Sequence, residues 1–153
     1  MSSSLDDSSF ATKVVVVTGA GRGLGRSHAI EFARRGAQVV VNDLGGAVDG
    51  TGSGATAQTV VDEIRKLGGE ACANTDSVTR QEGAAAIINT AIENYGRVDI
   101  LVNNAGILRD KTFTNISIEN FREVLDVHLM GSVLVTKAAW PVMRDNNWGR
   151  VVF

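Results

Sequence analysis

The chain has 153 residues, of which 44% are hydrophobic and 21% are charged. This length suits a single domain, on the rough prior of about 100–200 residues per domain, and the composition argues against a disordered tail. The formal net charge is only −2, and no block of like charges occurs, which argues against nucleic-acid and anionic-membrane partners. The longest strongly apolar run, Val14–Val17, is far short of the roughly 20 residues that a membrane span needs.

The amino-terminal segment and the cysteine content indicate a protein of a reducing compartment. Met1–Thr12 is rich in Ser and Asp, with neither the basic start nor the apolar stretch of a signal peptide. We therefore expect residues 1–12 to be a disordered tail and residues 13–153 to form the domain. Cys72, the single cysteine, cannot form an internal disulfide, which favours the cytoplasm.

Short β-branched runs alternate with amphipathic segments along the chain, which predicts a doubly wound α/β domain with a parallel sheet. Nearly continuous valine in the first run is typical of a strand that is buried on both faces. The strands are predicted at residues 13–18, 38–42, 70–74, 98–102 and 150–153, in the spatial order 3-2-1-4-5, and the helices at 24–35, 57–67, 79–95 and 118–144.

Local signals mark the ends of several of these elements. Thr79 and Glu82 have the spacing of a capping box, which predicts that the third helix opens there. Pro141 is expected to kink or tighten the last turn of the long fourth helix. Residues 44–56 contain five glycines and form a longer loop than the 2–6 residues that are typical of such units.

The last predicted strand would leave an apolar terminus with one unpaired edge, which is an aggregation liability. We therefore expect the chain to represent the first half to two-thirds of a larger domain, with the sheet incomplete at its carboxyl-terminal side.

A glycine-rich turn follows the first strand. The spacing G-x-x-x-G-x-G is met by Gly19, Gly23 and Gly25, whereas G-x-G-x-x-G is absent in every register. Glycines at a strand-to-helix turn let the backbone approach a pyrophosphate, which then lies against the free N–H groups of the helix. The alternative is that these glycines only close a tight turn.

An acid after the second strand favours the nucleotide interpretation. Asp43 follows Gly23 by 20 residues, where an acid accepts hydrogen bonds from the adenosine ribose hydroxyls. The two features together predict a dinucleotide-binding βαβ unit. A minor alternative is an S-adenosylmethionine site, although such sites usually also have an acid before the glycines, where this chain has valine and Thr18.

Three motifs together resemble the short-chain dehydrogenase/reductase family: Thr18-Gly19-x-x-x-Gly23-x-Gly25, Asp76 after the third strand, and Asn103-Asn104-Ala105-Gly106 after the fourth. The resemblance implies a Rossmann-type fold and a nicotinamide cofactor. It places the cofactor-binding residues at the pyrophosphate (Gly19, Arg22, Gly23, Leu24, Gly25), the adenosine ribose (Asp43), the adenine (Asp76, Ser77, Val78) and the second ribose (Asn104, Ala105, Gly106). Asn103 is expected to pin the central strands together.

Further segments resemble the 3-hydroxyacyl-CoA dehydrogenase module of the peroxisomal multifunctional β-oxidation enzyme type 2 and its bacterial relatives. They are the insertion after Asn42-Asp43, the run Ile107-Leu108-Arg109-Asp110-Lys111, and Val127-His128-Leu129. This resemblance implies interconversion of 3-hydroxyacyl-CoA and 3-oxoacyl-CoA, a peroxisomal location in a eukaryote, and pairing of subunits through the fourth helix. Asp43 favours NAD over NADP, although Arg22 could pair with the extra phosphate of NADP.

The catalytic residues of this family are expected to lie beyond Phe153. The family uses a serine and a tyrosine that is followed four positions later by a lysine. Tyr95 is the single tyrosine of this chain, and the residue four positions after it is Asp99. His128 stands where most of the family has a relay asparagine, and it is a candidate relay residue. No metal-binding motif is present, and His28 is expected to be a helix residue without a functional role. We expect residues 1–153 alone to be inactive, and the alternative function is a truncated, non-catalytic nucleotide-binding remnant.

Overall fold

The computed structural model describes residues 10–46 and 56–153. Its five strands form one parallel sheet in the order β3-β2-β1-β4-β5, which confirms the predicted fold class and strand order. Along the chain the elements are β1 (Val14–Thr18), α1 (Gly23–Arg34), β2 (Gln38–Asn42), α2 (Thr56–Lys66), β3 (Glu70–Asn74), α3 (Gln81–Tyr95), β4 (Ile100–Val102), α4 (Ile118–Leu125), a π-helical segment (Asp126–Gly131), α5 (Ser132–Asp145) and β5 (Arg150–Val152).

The central strand β1 is buried along its whole length because helices cover both faces of the sheet. Its odd-numbered valines pack with α1 and α2, and its even-numbered valines pack with α3 and α5. Val16 is in register with Val40 of β2 and with Leu101 of β4. A strand with two buried faces has no polar side to alternate with, and this accounts for the valine run.

The long helix that we predicted at 118–144 is interrupted. Residues 126–131 form a π-helical segment between α4 and α5. The hydroxyl of Ser132, the first residue of α5, donates a hydrogen bond of 2.7 Å to the carbonyl oxygen of His128 in this segment, so a side chain takes part in the hydrogen bonding of the turn. Single π turns of this kind are concentrated at functional sites. Pro141 lies inside α5 and does not end it.

The predicted capping box at the start of α3 is wrong. The helix begins at Gln81, and its N-cap residue is Arg80, whose side chain makes no capping hydrogen bond. The hydroxyl of Thr79 instead lies 2.9 Å from that of Ser77. Its oxygen is therefore used within the β3–α3 turn rather than on the helix.

The packed part of the chain includes the end of the predicted amino-terminal tail. The amide of Phe10 donates to the carbonyl oxygen of Arg35 at 2.9 Å, and its ring packs edge-on against Phe32. The rest of that predicted tail, residues 1–9, and most of the predicted glycine-rich loop, residues 47–55, lie outside the described residues.

Two further observations concern the described ranges, 10–46 and 56–153. None of their helices combines the length and apolar character that crossing a membrane requires. These ranges also hold no cluster of three or more His, Cys, Asp or Glu side chains that could ligate a metal.

Candidate functional site

The glycine turn after β1 depends on the absence of side chains. Gly19 and Gly23 have φ angles of 62° and 53°, in the left-handed region that favours glycine. A Cβ atom on Gly19 would lie 2.7 Å from the Cα atom of Ala105, and one on Gly25 would collide with the carbonyl oxygen of Gly19 and the side-chain nitrogen of Asn104. The turn therefore packs directly against the segment that follows β4.

The amino terminus of α1 is suited to an anion. The N-cap residue, Arg22, has an extended backbone and makes no side-chain hydrogen bond to the helix, and the first turn contains no acidic residue. Gly23 and Leu24 are exposed there, and Leu24 is 74% exposed. The first N–H groups of a helix lack partners within the helix, and the helix dipole adds a partial positive charge.

The side chains of the two asparagines after β4 contact different elements. The side-chain nitrogen of Asn104 donates to the carbonyl oxygens of Thr18 at 2.9 Å and Gly19 at 3.0 Å, so Asn104 pins β4 to the glycine turn. Asn103 instead donates from its side chain to the hydroxyl of Thr136 on α5, at 3.0 Å. The prediction that Asn103 pins the central strands holds only for its backbone amide, which donates to the carbonyl oxygen of Val152 on β5 at 2.9 Å. The side chain that links β1 to β4 is that of Asn104.

Asp43 is held by three hydrogen bonds from its neighbours. One carboxylate oxygen accepts the amide of Gly21 at 2.9 Å, and the other accepts the amide of Gly45 at 2.8 Å and the hydroxyl of Thr56 at 2.9 Å. A Cβ atom on Gly21 would lie 2.7 Å from this carboxyl carbon. The carboxylate is therefore oriented before any ligand arrives, and the oxygen that accepts only the Gly21 amide keeps further acceptor capacity.

A cleft of about 130 Å³ opens at the carboxyl ends of β1, β2, β3 and β4. In open parallel sheets, ligands bind outside this edge, near the point where the strand order reverses. Seven of the predicted cofactor-binding residues line the cleft: Gly19, Asp43, Asp76, Ser77, Val78, Ala105 and Gly106. The other five are not among its lining residues and lie along the glycine turn and after β4: Arg22, Gly23, Leu24, Gly25 and Asn104.

Six lining residues were missed by the sequence analysis: Asn42, Leu44, Gly46, Thr79, Ile107 and Val127. Asn42 precedes Asp43 at the end of a strand, and this adjacency is the signal that could have found it. Nothing local marks Val127, because only the packing of the π-helical segment brings it to the cleft.

His128 contacts the wall of the cleft. Its Nε2 atom lies 3.1 Å from the amide nitrogen of Ile107 and 3.0 Å from the carbonyl oxygen of the same residue, so it accepts or donates according to its tautomer. A Cβ atom on Gly106 would lie 2.7 Å from the imidazole Cε1 atom. The ring therefore packs against a glycine that lines the cleft. His28 is exposed on α1.

Tyr95 and Cys72 form a separate pair away from the cleft. Burial is the main cause that raises the pKa of Tyr95, and the neighbouring Cys72 raises it further. Burial likewise raises the pKa of the Cys72 thiol above its ordinary value of 9.0. Both groups therefore stay protonated at neutral pH, and neither lines the cleft.

Comparison with known proteins places this geometry in a family. The model of the short chain dehydrogenase family matches residues 13–153. The chain is 58% identical over 141 residues to a short-chain type dehydrogenase/reductase of Mycobacterium tuberculosis, covering 92% of this chain and 49% of that protein. It is 52% identical over 144 residues to the peroxisomal multifunctional enzyme type 2 of Mus musculus, covering 94% of this chain and 19% of that protein.

A solved structure gives the same result. A 7α-hydroxysteroid dehydrogenase complexed with NADH and 7-oxo glycochenodeoxycholic acid superposes with a TM-score of 0.85 at 35% identity, covering 95% of this chain and 54% of that one. The chain thus spans about half the length of the 7α-hydroxysteroid dehydrogenase and about half the length of the mycobacterial protein. The resemblance predicted from the glycine turn and the Asn-Asn-Ala-Gly segment is confirmed, and the chain belongs to the short-chain dehydrogenase family.

Proposed function

We propose that this chain forms the cofactor-binding part of an NAD-dependent dehydrogenase that interconverts 3-hydroxyacyl-CoA and 3-oxoacyl-CoA. The observation that carries the cofactor proposal is the position of Asp43 in the cleft, beside the glycine turn. The substrate class rests on the similarity to the peroxisomal multifunctional enzyme type 2. We further propose that the partner is a small acyl-CoA molecule and that the protein acts in the cytoplasm or, in a eukaryote, in the peroxisome.

Different residues at the cleft would bind different parts of the cofactor. The amides at the start of α1, at Gly23, Leu24 and Gly25, would hold the pyrophosphate. Asp43 would accept the adenosine ribose hydroxyls, Asp76 and its two successors would face the adenine, and Asn104 to Gly106 would border the second ribose. The bound nicotinamide would accept or return the hydride.

NAD is favoured over NADP because Asp43 would face the additional phosphate. Like charges brought together at a binding site cost several kcal/mol. Arg22 opposes this preference, but it is exposed, and exposed ion pairs contribute only about 0–1 kcal/mol. The bracing of Asp43 by Gly21 and Thr56 leaves the carboxylate little freedom to turn away.

The experiment compares NAD and NADP affinities of the complete protein by calorimetric titration. We expect NAD to bind more tightly, and Asp43→Ser to reduce or reverse this preference. Asp145→Ser is the matched control, because that carboxylate is 67% exposed in an ion pair on α5 and should leave the ratio unchanged. Tighter binding of NADP by the unaltered protein would contradict the proposal.

We also propose that residues 1–153 alone do not catalyse the reaction. Hydride transfer requires a proton to leave or reach the substrate oxygen. Tyr95 is not suited to supply it, because it does not line the cleft and burial raises its pKa. His128 stays the candidate relay residue at the edge of the cleft. Loss of a general acid or base costs about 10²–10⁴-fold in rate.

The purified chain is therefore expected to bind cofactor without reducing NAD in the presence of a 3-hydroxyacyl-CoA. Measurable turnover that disappears in His128→Ala would contradict this expectation. Cofactor binding without turnover by a longer form that carries the serine and the Tyr-x-x-x-Lys motif would favour the alternative, a nucleotide-binding protein without catalysis.

The complete enzyme is proposed to be at least a dimer. Apolar side chains on α4, the π-helical segment and α5 are exposed: Phe121, Leu125, Leu129, Val133 and Trp140. Exposed apolar patches of this kind mark surfaces that another surface covers. Light scattering at micromolar concentration should give at least twice the mass of one subunit, and a monomeric mass would contradict the proposal.

A further inference from the structure

The carboxylate of Asp43 already uses most of its hydrogen-bonding capacity within the chain. A carboxylate offers about four lone-pair positions, shared equally between its two oxygens. The Oδ1 atom accepts the amide of Gly45 at 2.8 Å and the hydroxyl of Thr56 at 2.9 Å. The Oδ2 atom accepts the amide of Gly21 at 2.9 Å. With respect to the residues that the structure describes, the position that stays open is therefore on Oδ2, and Oδ1 is saturated.

The backbone holds both partners of Oδ1 in place. Gly45 follows Asp43 by two residues and has a φ angle of 85°, so the turn itself sets the direction of its amide. Thr56 is the first residue of α2, and Ala57, which follows it, is 0% exposed. Because a closely packed core resists displacement, the docking of α2 fixes the backbone of Thr56.

The glycine turn confines the hydroxyl of Thr56 from another side. A Cβ atom on Gly21 would lie 2.7 Å from the Oγ1 atom of Thr56 and 2.7 Å from the carboxyl carbon of Asp43. A ligand hydroxyl that displaced Thr56 from Oδ1 would exchange one hydroxyl donor for another and leave the threonine hydroxyl without its partner, which costs free energy. The contact between Thr56 and Oδ1 is therefore expected to persist when a ligand binds.

We propose that Thr56 is a positioning residue that restricts Asp43 to one hydroxyl of the adenosine ribose, the 2′-hydroxyl. A carboxylate with both oxygens open would accept the 2′- and the 3′-hydroxyl together, whereas here Thr56 occupies the second oxygen. The 2′-hydroxyl is the one assigned to Oδ2 because the extra phosphate of NADP is carried there. The inference rests on the proposed nucleotide function and narrows the role of Asp43 to a single hydroxyl.

The test titrates four probes into the complete protein by calorimetry: NAD, adenosine monophosphate, 2′-deoxyadenosine monophosphate and 3′-deoxyadenosine monophosphate. Loss of a hydrogen bond to a charged group sets the scale, so the 2′-deoxy probe should bind roughly ten- to a hundredfold more weakly than adenosine monophosphate. The 3′-deoxy probe should bind within about twofold of it, because the missing hydroxyl has no acceptor on Asp43.

Thr56→Val removes the hydroxyl and keeps a β-branched side chain, which opens a position on Oδ1. Adenosine monophosphate should then bind more tightly, and the 3′-deoxy probe should bind roughly tenfold more weakly than adenosine monophosphate. A purely structural role would instead weaken all the probes alike and leave their ratios unchanged. Thr56→Ser is the matched control, because it retains the hydroxyl and should keep the ratios of the unaltered protein.

Thr56→Ala replaces the valine variant if that fails to fold, and it should show the same dependence on the 3′-hydroxyl. Equal losses for the two deoxy probes in the unaltered protein would overturn the inference, because Asp43 would then bind both hydroxyls. A loss for the 3′-deoxy probe alone would overturn it as well.

The outcomes separate this inference from the proposed function. If the monophosphates show the ratios that depend on Thr56 and NAD does not bind, the restriction stands and the dehydrogenase proposal is wrong. If NAD binds and the 3′-ratio stays at one in the folded Thr56 variants, the restriction alone is overturned. If no probe binds, both are overturned.

Discussion

Two regions of the molecule differ in how completely this chain buries its own apolar surface. In the first region, the core of the sheet, Leu101 of β4 and the strand valines from Val14 to Val17 and from Val39 to Val41 are 0% exposed. In the second region, the outer surface of α4, α5 and the chain end, α4 has no buried residue at all, and Trp140 and Phe153 are 60% and 81% exposed. The first region is a fully buried core, whereas the second has exposed apolar side chains.

The buried region therefore stabilises the fold, whereas the exposed apolar side chains of the second region are available for contact with another surface. Burial of apolar area is the dominant favourable term in folding, so the stability of the isolated chain resides in the first region. The apolar side chains of α4 and α5 add little to that stability unless they are covered. The same substitution should therefore have very different effects in the two regions.

The largest expected effect comes from the same truncation made in each region. Leu101→Ala, at a side chain that is 0% exposed, should lower the free energy of unfolding by about 2–5 kcal/mol. Leu129→Ala, at a side chain that is 56% exposed, should change it by less than about 0.5 kcal/mol in the monomer. Urea denaturation of both variants at low concentration checks this, and equal effects would contradict the division into regions.

A smaller effect is expected at Asp99, which directly precedes β4. Asp99 is 0% exposed, accepts the amide of Val14 at 2.9 Å and pairs with Arg97 at 2.6 Å. Asp99→Ala leaves that buried amide without a partner, at a cost of about 1–3 kcal/mol. Asp145→Ala removes an exposed pair with Arg144, at 2.8 Å, and should cost only about 0–1 kcal/mol. Similar unfolding midpoints for the two variants would show that burial does not set the difference.

The smallest effect concerns the free energy of unfolding at alkaline pH and depends on Tyr95 and Cys72. Burial raises the pKa values of Tyr95 and Cys72 above their ordinary values of 10.0 and 9.0. Below pH 9 both groups are protonated whether the chain is folded or not, so their contribution is complete. Above pH 9–10 the unfolded chain releases these protons while the folded chain retains them, and stability falls by at most about 1.4 kcal/mol per pH unit for each group.

Tyr95→Phe should make this alkaline loss shallower, because one of the two groups no longer titrates. Urea midpoints between pH 8 and pH 11 measure the slope for the variant and the unaltered chain. An identical slope would show that Tyr95 is not shielded in the folded state. At pH 7 the variant should lose only its hydrogen bond to Cys72, a net contribution of about 0.5–1.5 kcal/mol.

Much of the cleft could be predicted from spacing because its parts are local. The glycine turn follows a strand directly, and Asp43 ends the next strand, so parallel pairing of β1 and β2 brings them together. The bracing of Asp43 by Thr56 could not be predicted in the same way. Thr56 lies 13 residues further on, and only the docking of α2 sets its distance.

The two asparagines at the ends of β2 and β3 show the same limit. Asn42 and Asn74 are 32 residues apart in sequence, and the sequence alone indicates only that each is a polar residue at the end of a strand. The register of β2 against β3 makes them hydrogen-bonding partners, and register is a property of the paired strands rather than of either one. The capping box failed for a related reason, because Thr79 found a nearer partner in Ser77.

By itself, the sequence of this protein determined the element types, the order of the sheet and the family. Buried valine runs, glycines at positive φ and helical periodicity act within a few residues, and the parallel order follows from the alternation of strands and helices. Only the tertiary structure decided which asparagine joins β4 to the glycine turn, where the long helix becomes a π helix, and how Asp43 is aimed. Those outcomes depend on side chains from different elements competing for the same hydrogen-bond partners, and that competition exists only once the elements have packed together.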